Sequence, residues 1–380
     1  MRVVVVGAGA WGLPAAAELA RRGHRVVLLD RHGAAHQLGS SSGPTRLWRL
    51  THPDRLRVRL AQRSVEAWER LEKDSGITAI LRRGLIWRDD VTTPLVIDAL
   101  TAEGVPHTVV EPDEVGRFFP GLRPDGRVGV WQETAGPVLA RAALDAQAGL
   151  FARAGGRIVV GPVVREVDTS GDDVVVRGED GREFRCDSAV LAPGAGAGRL
   201  LDALGIPVVL HPVLEQVCHV GDPGVTDAMP CLYDGPVGDE PGMYAMPTPG
   251  RGYKLGIDQP LRAWTEDDTD RVPSAAVSAH ISERVTRNFI DLDPTVLDAQ
   301  VCTWTDSPDG RFIVDTTAGG RVVIACGDSG EGFKFSALMG LVLADLADGR
   351  TPDDDVASFS WARLGQGAGA SSARPHVLGR

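Results

Sequence analysis

Cysteine is sparse in this chain of 380 residues. There are five, at positions 186, 218, 231, 302 and 326, and no two form a C-x-x-C pair. They make no disulfide framework at this length, and no His/Cys cluster suggests zinc or another metal. An odd count leaves at least one thiol unpaired, which suits a reducing cytoplasm. Long apolar runs are missing too. No stretch reaches the ~18 residues that would span a membrane. The apolar start, MRVVVVGAGAWGLPAAAELA, is interrupted by Gly7, Gly9, Gly12 and Pro14, and no secretory cleavage pattern follows it. Positive charge is in deficit: 40 Lys and Arg against 51 Asp and Glu give a net charge of -11. That argues against a broad nucleic-acid surface. No internal repeat is visible. The tail 365–380, GQGAGASSARPHVLGR, is rich in Gly, Ala and Ser and reads as disordered. What remains, 43% hydrophobic and 24% charged, is globular in composition and long enough for one large domain or two ordinary ones.

The first thirty residues hold the clearest pattern. RVVVV reads as a strand buried on both faces, followed by Gly7-x-Gly9-x-x-Gly12. LPAAAELARRG reads as a helix ending at Gly23, and HRVVLLD (24–30) as a second strand ending on Asp30. This is a βαβ dinucleotide fingerprint. Gly7 permits the tight turn, Gly9 lets the backbone approach a pyrophosphate, and Gly12 lets helix and strand pack. The helix N-terminus offers N–H groups to phosphate, and Asp30 would accept from a ribose diol. The pattern does not choose between NAD and FAD. A Gly-rich turn of another α/β protein, with Asp30 a plain strand-end acid, is the blander alternative.

Further on, GSSSGPTRLWRL (39–50) places Arg46 and Arg49 three apart, on one face if helical. Taken alone, the stretch reads as two solvated arginines. A helix is predicted over 138–154, then a strand RIVVGPVVREV, then a hairpin DVVVRGEDGREFRCD turning at Asp-Gly. SAVLAPGAGAG reads as a buried strand that returns to the first βαβ unit. YKLGID (253–258) is a short strand bearing Lys254, which on its own reads as a strand-edge lysine. RVVIACGDSGEGFKFSALMGLVLADLADGR (321–350) is a strand, a second Gly-rich turn and a long helix, so the C-terminal segment is expected to rejoin the nucleotide domain. Trp304 and Trp48 are expected to pack.

These pieces, with TRLWR, YKLGID, CTWTDSPDGRFIVD and GDSGEGFKFS in this order, resemble the monomeric sarcosine oxidase and N-methyltryptophan oxidase family. Its members are FAD amine oxidases of the glycine-oxidase/D-amino-acid-oxidase superfamily. The resemblance covers about residues 1–364. It implies an α/β fold: a Rossmann-like, glutathione-reductase-like FAD domain and a second α+β substrate domain with a mixed or antiparallel sheet. The FAD domain would be discontinuous, built from 1–85, 146–213 and 300–364. The substrate domain would take 86–145 and 214–299. The resemblance implies covalent FAD on Cys302, where an inert buried thiol is the alternative. Such a link raises the flavin potential and prevents cofactor loss. It places Gly7, Gly9, Gly12, Asp30, Arg46, Val163, Gly330, Gly332, Phe333 and Lys334 at the cofactor. It assigns oxygen activation to Lys254 and the substrate carboxylate to Arg49 and Lys334. Tyr244 falls in the pocket wall. Asp258 stands where the family usually has a histidine, SSSGP lacks the family's histidine, and PGAGAG replaces its G-A-W. These departures lie around the pocket and put sarcosine itself in doubt.

The implied reaction is oxidation of an amino acid or N-alkyl amino acid. A hydride equivalent leaves carbon for the flavin, the imine hydrolyses, and O₂ returns as hydrogen peroxide. A cytoplasmic monomer is expected, with small-molecule amine and O₂ as partners and neither nucleic acid nor membrane. Two rivals keep the flavin. One is a dehydrogenase passing electrons to a carrier, which slow reoxidation by air would favour. The other is a non-catalytic flavin subunit, which activity residing in a partner would favour. An NAD dehydrogenase has no use for Cys302 or the second Gly-rich turn.

Overall fold

The computed structural model describes residues 1–365. The tail expected to be disordered therefore lies, from 366 onward, outside the described residues. The valine run forms the strand Arg2–Val6, buried at all but its first residue. It sits inside a six-stranded sheet ordered Ile313–Thr317, Val322–Cys326, Ser188–Leu191, Arg2–Val6, Arg25–Asp30, Arg157–Val160. All neighbours are parallel except Ile313–Thr317, which runs antiparallel to Val322–Cys326. Val6 pairs with both Leu191 and Leu29, so three strands end together at one edge, where open α/β sheets bind ligands. The helices Gly12–Arg21, Ala140–Arg153 and Ser336–Ala347 pack as one apolar layer on this sheet. A second apolar layer on its other side joins the sheet to helix Ala197–Ala203 and a three-stranded antiparallel sheet.

Two glycines set this packing. Gly7 has φ +100°, and a Cβ there would lie 2.2 Å from the carbonyl oxygen of Ala192. A Cβ on Gly12 would lie 2.0 Å from the carbonyl oxygen of Gly7, so only glycine lets the helix start so close to the strand.

The larger sheet has nine strands, and its longest pairing joins His211–Val220 antiparallel to Val296–Asp306. Side chains directly opposite each other share a face. The register pairs Glu215 with Cys302, Val217 with Gly256, and Gly256 with Tyr244. Lys254, two residues from Gly256, pairs with His219 and Met246. Cys302, Glu215, Tyr244 and Lys254 therefore share one face. The other face carries a separate apolar cluster under helix Ala275–Asn288. Residues 213–214 and 299–300, where the sequence suggests a change of domain, fall inside the two long paired strands.

Three expectations are corrected. TRLW is a strand, Thr45–Trp48, paired with Gly136–Leu139, so Arg46 and Arg49 do not share a helical face. RIVVGPVVREV is two strands in different sheets, Arg157–Val160 and Val164–Asp168, broken at Gly161 (φ +109°) and Pro162. Lys254 lies in Gly252–Ile257, which is flanked on both sides, so it is no edge lysine. Among the described residues no helix is long and apolar enough to cross a membrane.

Candidate active site

A cavity of about 380 Å³ runs between the two sheets from the first Gly-rich turn to Cys302 and the second one. Gly7, Gly9, Asp30 and Val163 line one part of it. Arg46, Arg49, Tyr244, Lys254, Asp258, Cys302, Gly330, Gly332, Phe333 and Lys334 line the rest. Gly12 does not border it and serves the packing just described. Asp30 closes the first turn: its carboxylate accepts from the backbone N–H of Ala8, His32 and Gly33, each at 2.8 Å. The second turn is fixed by two tryptophans. Trp11 Nε1 donates to the Gly332 carbonyl at 3.0 Å and Trp68 Nε1 to that of Lys334 at 2.8 Å.

At one end the cations converge on an acid. Arg49 Nη2 lies 3.3 Å and Lys334 Nζ 3.1 Å from the same oxygen, Oε1, of Glu331, while Arg57 Nε lies 2.6 Å from Oε2. Arg49 also donates to the Thr51 carbonyl and stacks over Trp87 at 4.5 Å. With 1% of its surface exposed, Arg49 is not the solvated arginine that its stretch suggests in isolation. Burial pushes Glu331 up, but the cations Lys334, Arg57 and Arg49 together hold it well below the usual carboxylate range. Burial lowers Lys334 to about 8 against the opposing pull of Glu331. Burial, reinforced by Arg49, keeps His52 neutral.

At the other end lie Lys254, Arg46 and Cys302. Lys254 Nζ donates to the Thr45 carbonyl, and Thr45 bonds Thr248 through their hydroxyls at 2.8 Å, tying the short Thr45–Trp48 strand to the large sheet. Burial and then the charge of Arg46 lower Lys254 to about 7. Arg46 is held by the carbonyls of Ser40, Ser42 and Thr45. Burial pushes the Cys302 thiol up, and Arg46 opposes it. The Tyr244 hydroxyl donates to Glu215 Oε1 at 3.0 Å.

The family model "FAD dependent oxidoreductase" (DAO) matches residues 2–346. The chain belongs to this family of FAD-dependent oxidoreductases. It is 28% identical to the human peroxisomal sarcosine oxidase over 95% of each chain. It is 29% identical to the monomeric sarcosine oxidase of Streptomyces avermitilis, covering 95% of this chain and 97% of that one. Among solved structures, NikD, described as an unusual amino acid oxidase essential for nikkomycin biosynthesis, superposes with a TM-score of 0.82. It is 25% identical and covers 94% of this chain and 96% of that one. The resemblance read from the motifs and the mixed α/β fold both hold.

The residues present fit FAD. Gly7 has no room for a Cβ, a Cβ on Gly9 would press within 3.1 Å of Ser41 Oγ, and one cavity borders both the glycine turn and Cys302. Sequence reasoning missed Glu331, Glu215, His52 and Arg57. Glu331 gave one local signal, an acid three residues before Lys334. Glu215 gave only a charge inside a strand-like run.

Proposed function

We propose that this FAD-dependent oxidoreductase is an amine oxidase. Its substrate is an amino acid or N-alkyl amino acid, and its products are an imine and hydrogen peroxide. The observation that carries the reading is that Cys302, Lys254 and the Arg49–Lys334 pair open onto one cavity with the dinucleotide turn. The sarcosine oxidases among its relatives support the substrate class. We further propose that Cys302 tethers the cofactor covalently, and that residues 1–85, 146–213 and 300–364 form the FAD-binding part.

Bound FAD supplies a two-electron acceptor; the rest is done by the chain. Arg49 and Lys334 orient the substrate carboxylate. Both are buried, border the cavity and are held in place by Glu331, so a guanidinium fork and an ammonium are fixed where a carboxylate could meet them. Tyr244 and Asp258 stand in the wall where the amine end would lie. Lys254, fixed on the Thr45 carbonyl, places an ammonium where oxygen takes on charge, and burial strengthens that effect.

The test has two steps. Acid-denatured protein is examined for flavin in the pellet and weighed intact. The native protein is then screened against amino acids and N-alkyl amino acids, with peroxide as readout. Turnover without peroxide in air would replace the oxidase with the dehydrogenase. Absence of any flavin would remove the whole proposal.

A further inference from the structure

We propose that His219 is a proton relay that reloads Lys254 from solvent during oxygen reduction, with Asp298 as its outer partner. The inference rests on the oxidase role given to Lys254 above.

The sheet register lines up the three residues. His219 is the direct cross-strand partner of Lys254 on one side and of Asp298 on the other. Opposed side chains stand on one face, with Cβ atoms about 4.5–5.5 Å apart. The row runs from the cavity outward. Lys254 borders the cavity and is 3% exposed; His219 lies behind it at 0%. The Asp298 side chain is 41% exposed, held by Arg251 at 2.9 Å and by Gln300 Nε2 at 2.9 Å.

His219 is unusual within this row. Both ring nitrogens are buried without a hydrogen-bond partner. A buried unsatisfied polar group is destabilising, and such a group calls for a reason. An apolar residue would suit the position better if packing were its only role. Nδ1 lies 3.8 Å from Asp298 Oδ2, within ion-pair reach and just beyond a direct hydrogen bond. The charged groups facing His219 are Lys254, Arg251 and Asp298. Facing Lys254 are the charged Arg46 and Glu215 and the thiols of Cys302 and Cys231. Burial, then Lys254 and Arg251, lower His219 to about 4, so it rests neutral at pH 7.

The proton balance gives such a route a use. Reduction of O₂ to H₂O₂ takes up two electrons and two protons. The electrons and one proton come as the hydride equivalent removed from the substrate. The second proton equals the one the amine N–H loses as the imine forms; where that proton has left for solvent, the one delivered to oxygen is drawn back from water. If Lys254 gives it, an N–H bond of the ammonium breaks and a neutral amine remains in a closed site. His219 then takes a proton at one nitrogen from the Asp298 side and releases one from the other nitrogen to Lys254. Imidazole alone among side chains offers both functions at near-neutral pH.

The experiment uses the FAD-loaded protein. Reoxidation by O₂ is followed by stopped flow in H₂O and D₂O. Separately, without substrate, a pH jump is applied and reprotonation of Lys254 is followed through the visible absorbance of bound FAD. In His219→Leu, reoxidation and the pH-jump relaxation should both slow about 10- to 100-fold. The solvent isotope effect should rise, added imidazole should restore part of the rate, and reduction by substrate and the pH-jump end point should stay unchanged. Asp298→Asn, on the surface, should move the same readouts less, and it decides the matter if His219→Leu does not fold. Wild-type relaxation and isotope effect in the folded variants would overturn the relay. A Lys254→Met protein that reoxidises normally would overturn the role of Lys254 and the relay with it. A slow Lys254→Met beside normal His219 and Asp298 variants would overturn the relay alone.

Discussion

Arg49 Nη2 and Glu331 Oε1 lie 3.3 Å apart with both side chains buried, and Lys334 closes on the same oxygen. One acid thus fixes the positions of two cations assigned to the substrate. Removing one partner of such a buried cluster costs about 3–5 kcal/mol, because the cations left behind have no counter-charge. Glu331→Gln should therefore unfold at markedly lower denaturant concentration. Glu331 is held below its ordinary 4.5, so its contribution is fully present above that value and is lost as pH falls through the folded value. The gap between wild type and variant should close in acid. An equal midpoint at pH 7 would contradict this.

Arg49→Lys keeps the charge but loses the planar fork. Hydrogen bonds to charged groups contribute about 1.5–3 kcal/mol, so KM for a carboxylate-bearing substrate should rise about 10- to 100-fold. The matching carboxamide should bind equally to both proteins. The comparison of the two ligands by titration separates anchoring from misfolding.

Lys254→Met should leave flavin reduction near the wild-type rate. It should slow reoxidation about 10²–10³-fold, the range for removal of one preorganised charge stabiliser. Wild-type reoxidation should weaken as pH rises through about 7, where the ammonium is lost, whereas the variant should be flat. Burial lowers this lysine from 10.5 to about 7, so between those values the unfolded chain binds more protons and stability rises with pH. The methionine variant should lack that slope and be more stable than wild type at pH 7. Stopped-flow traces and unfolding curves across pH check both.

If Cys302 carries the link, the intact mass of the wild type includes a flavin increment, whereas Cys302→Ser should lack it and bind FAD that acid releases. Retention of that increment would place the link on another residue. The other cysteines are poorer candidates: 186, 218 and 231 are buried and do not border the cavity, and Cys326 borders it but is buried, whereas Cys302 is half-buried on the cavity wall.

Gly7→Ala puts a methyl group 2.2 Å from the Ala192 carbonyl at φ +100°. The strand ends cannot separate to relieve it, because Val6 is paired on both sides. FAD-free, aggregation-prone protein is expected. A soluble, yellow Gly7→Ala would show that the turn tolerates more than its geometry suggests.

The βαβ unit was legible because its signals are local: a valine run, three glycines at fixed spacing and an acid closing the second strand. The hairpin at Asp180-Gly181 was legible for the same reason. Arg46 and Arg49 were misread as helical because four residues of TRLW take their conformation from Gly136–Leu139, far along the chain. Lys254 reads on its own as an edge lysine and proves central, since a strand does not announce how many neighbours it has. Glu331 sits inside the GDSGEGFKFS motif, but nothing local says that three cations will surround it.

The sequence by itself determined the nucleotide turn, the strand and helix periods and the motifs that mark the family, all encoded within a few residues. The tertiary structure alone decided which side chains share a face and which charges meet. Register across antiparallel strands set Cys302 against Glu215 and His219 between Lys254 and Asp298. Burial then turned those meetings into shifted proton affinities, because desolvation depends on what every distant segment packs over the group.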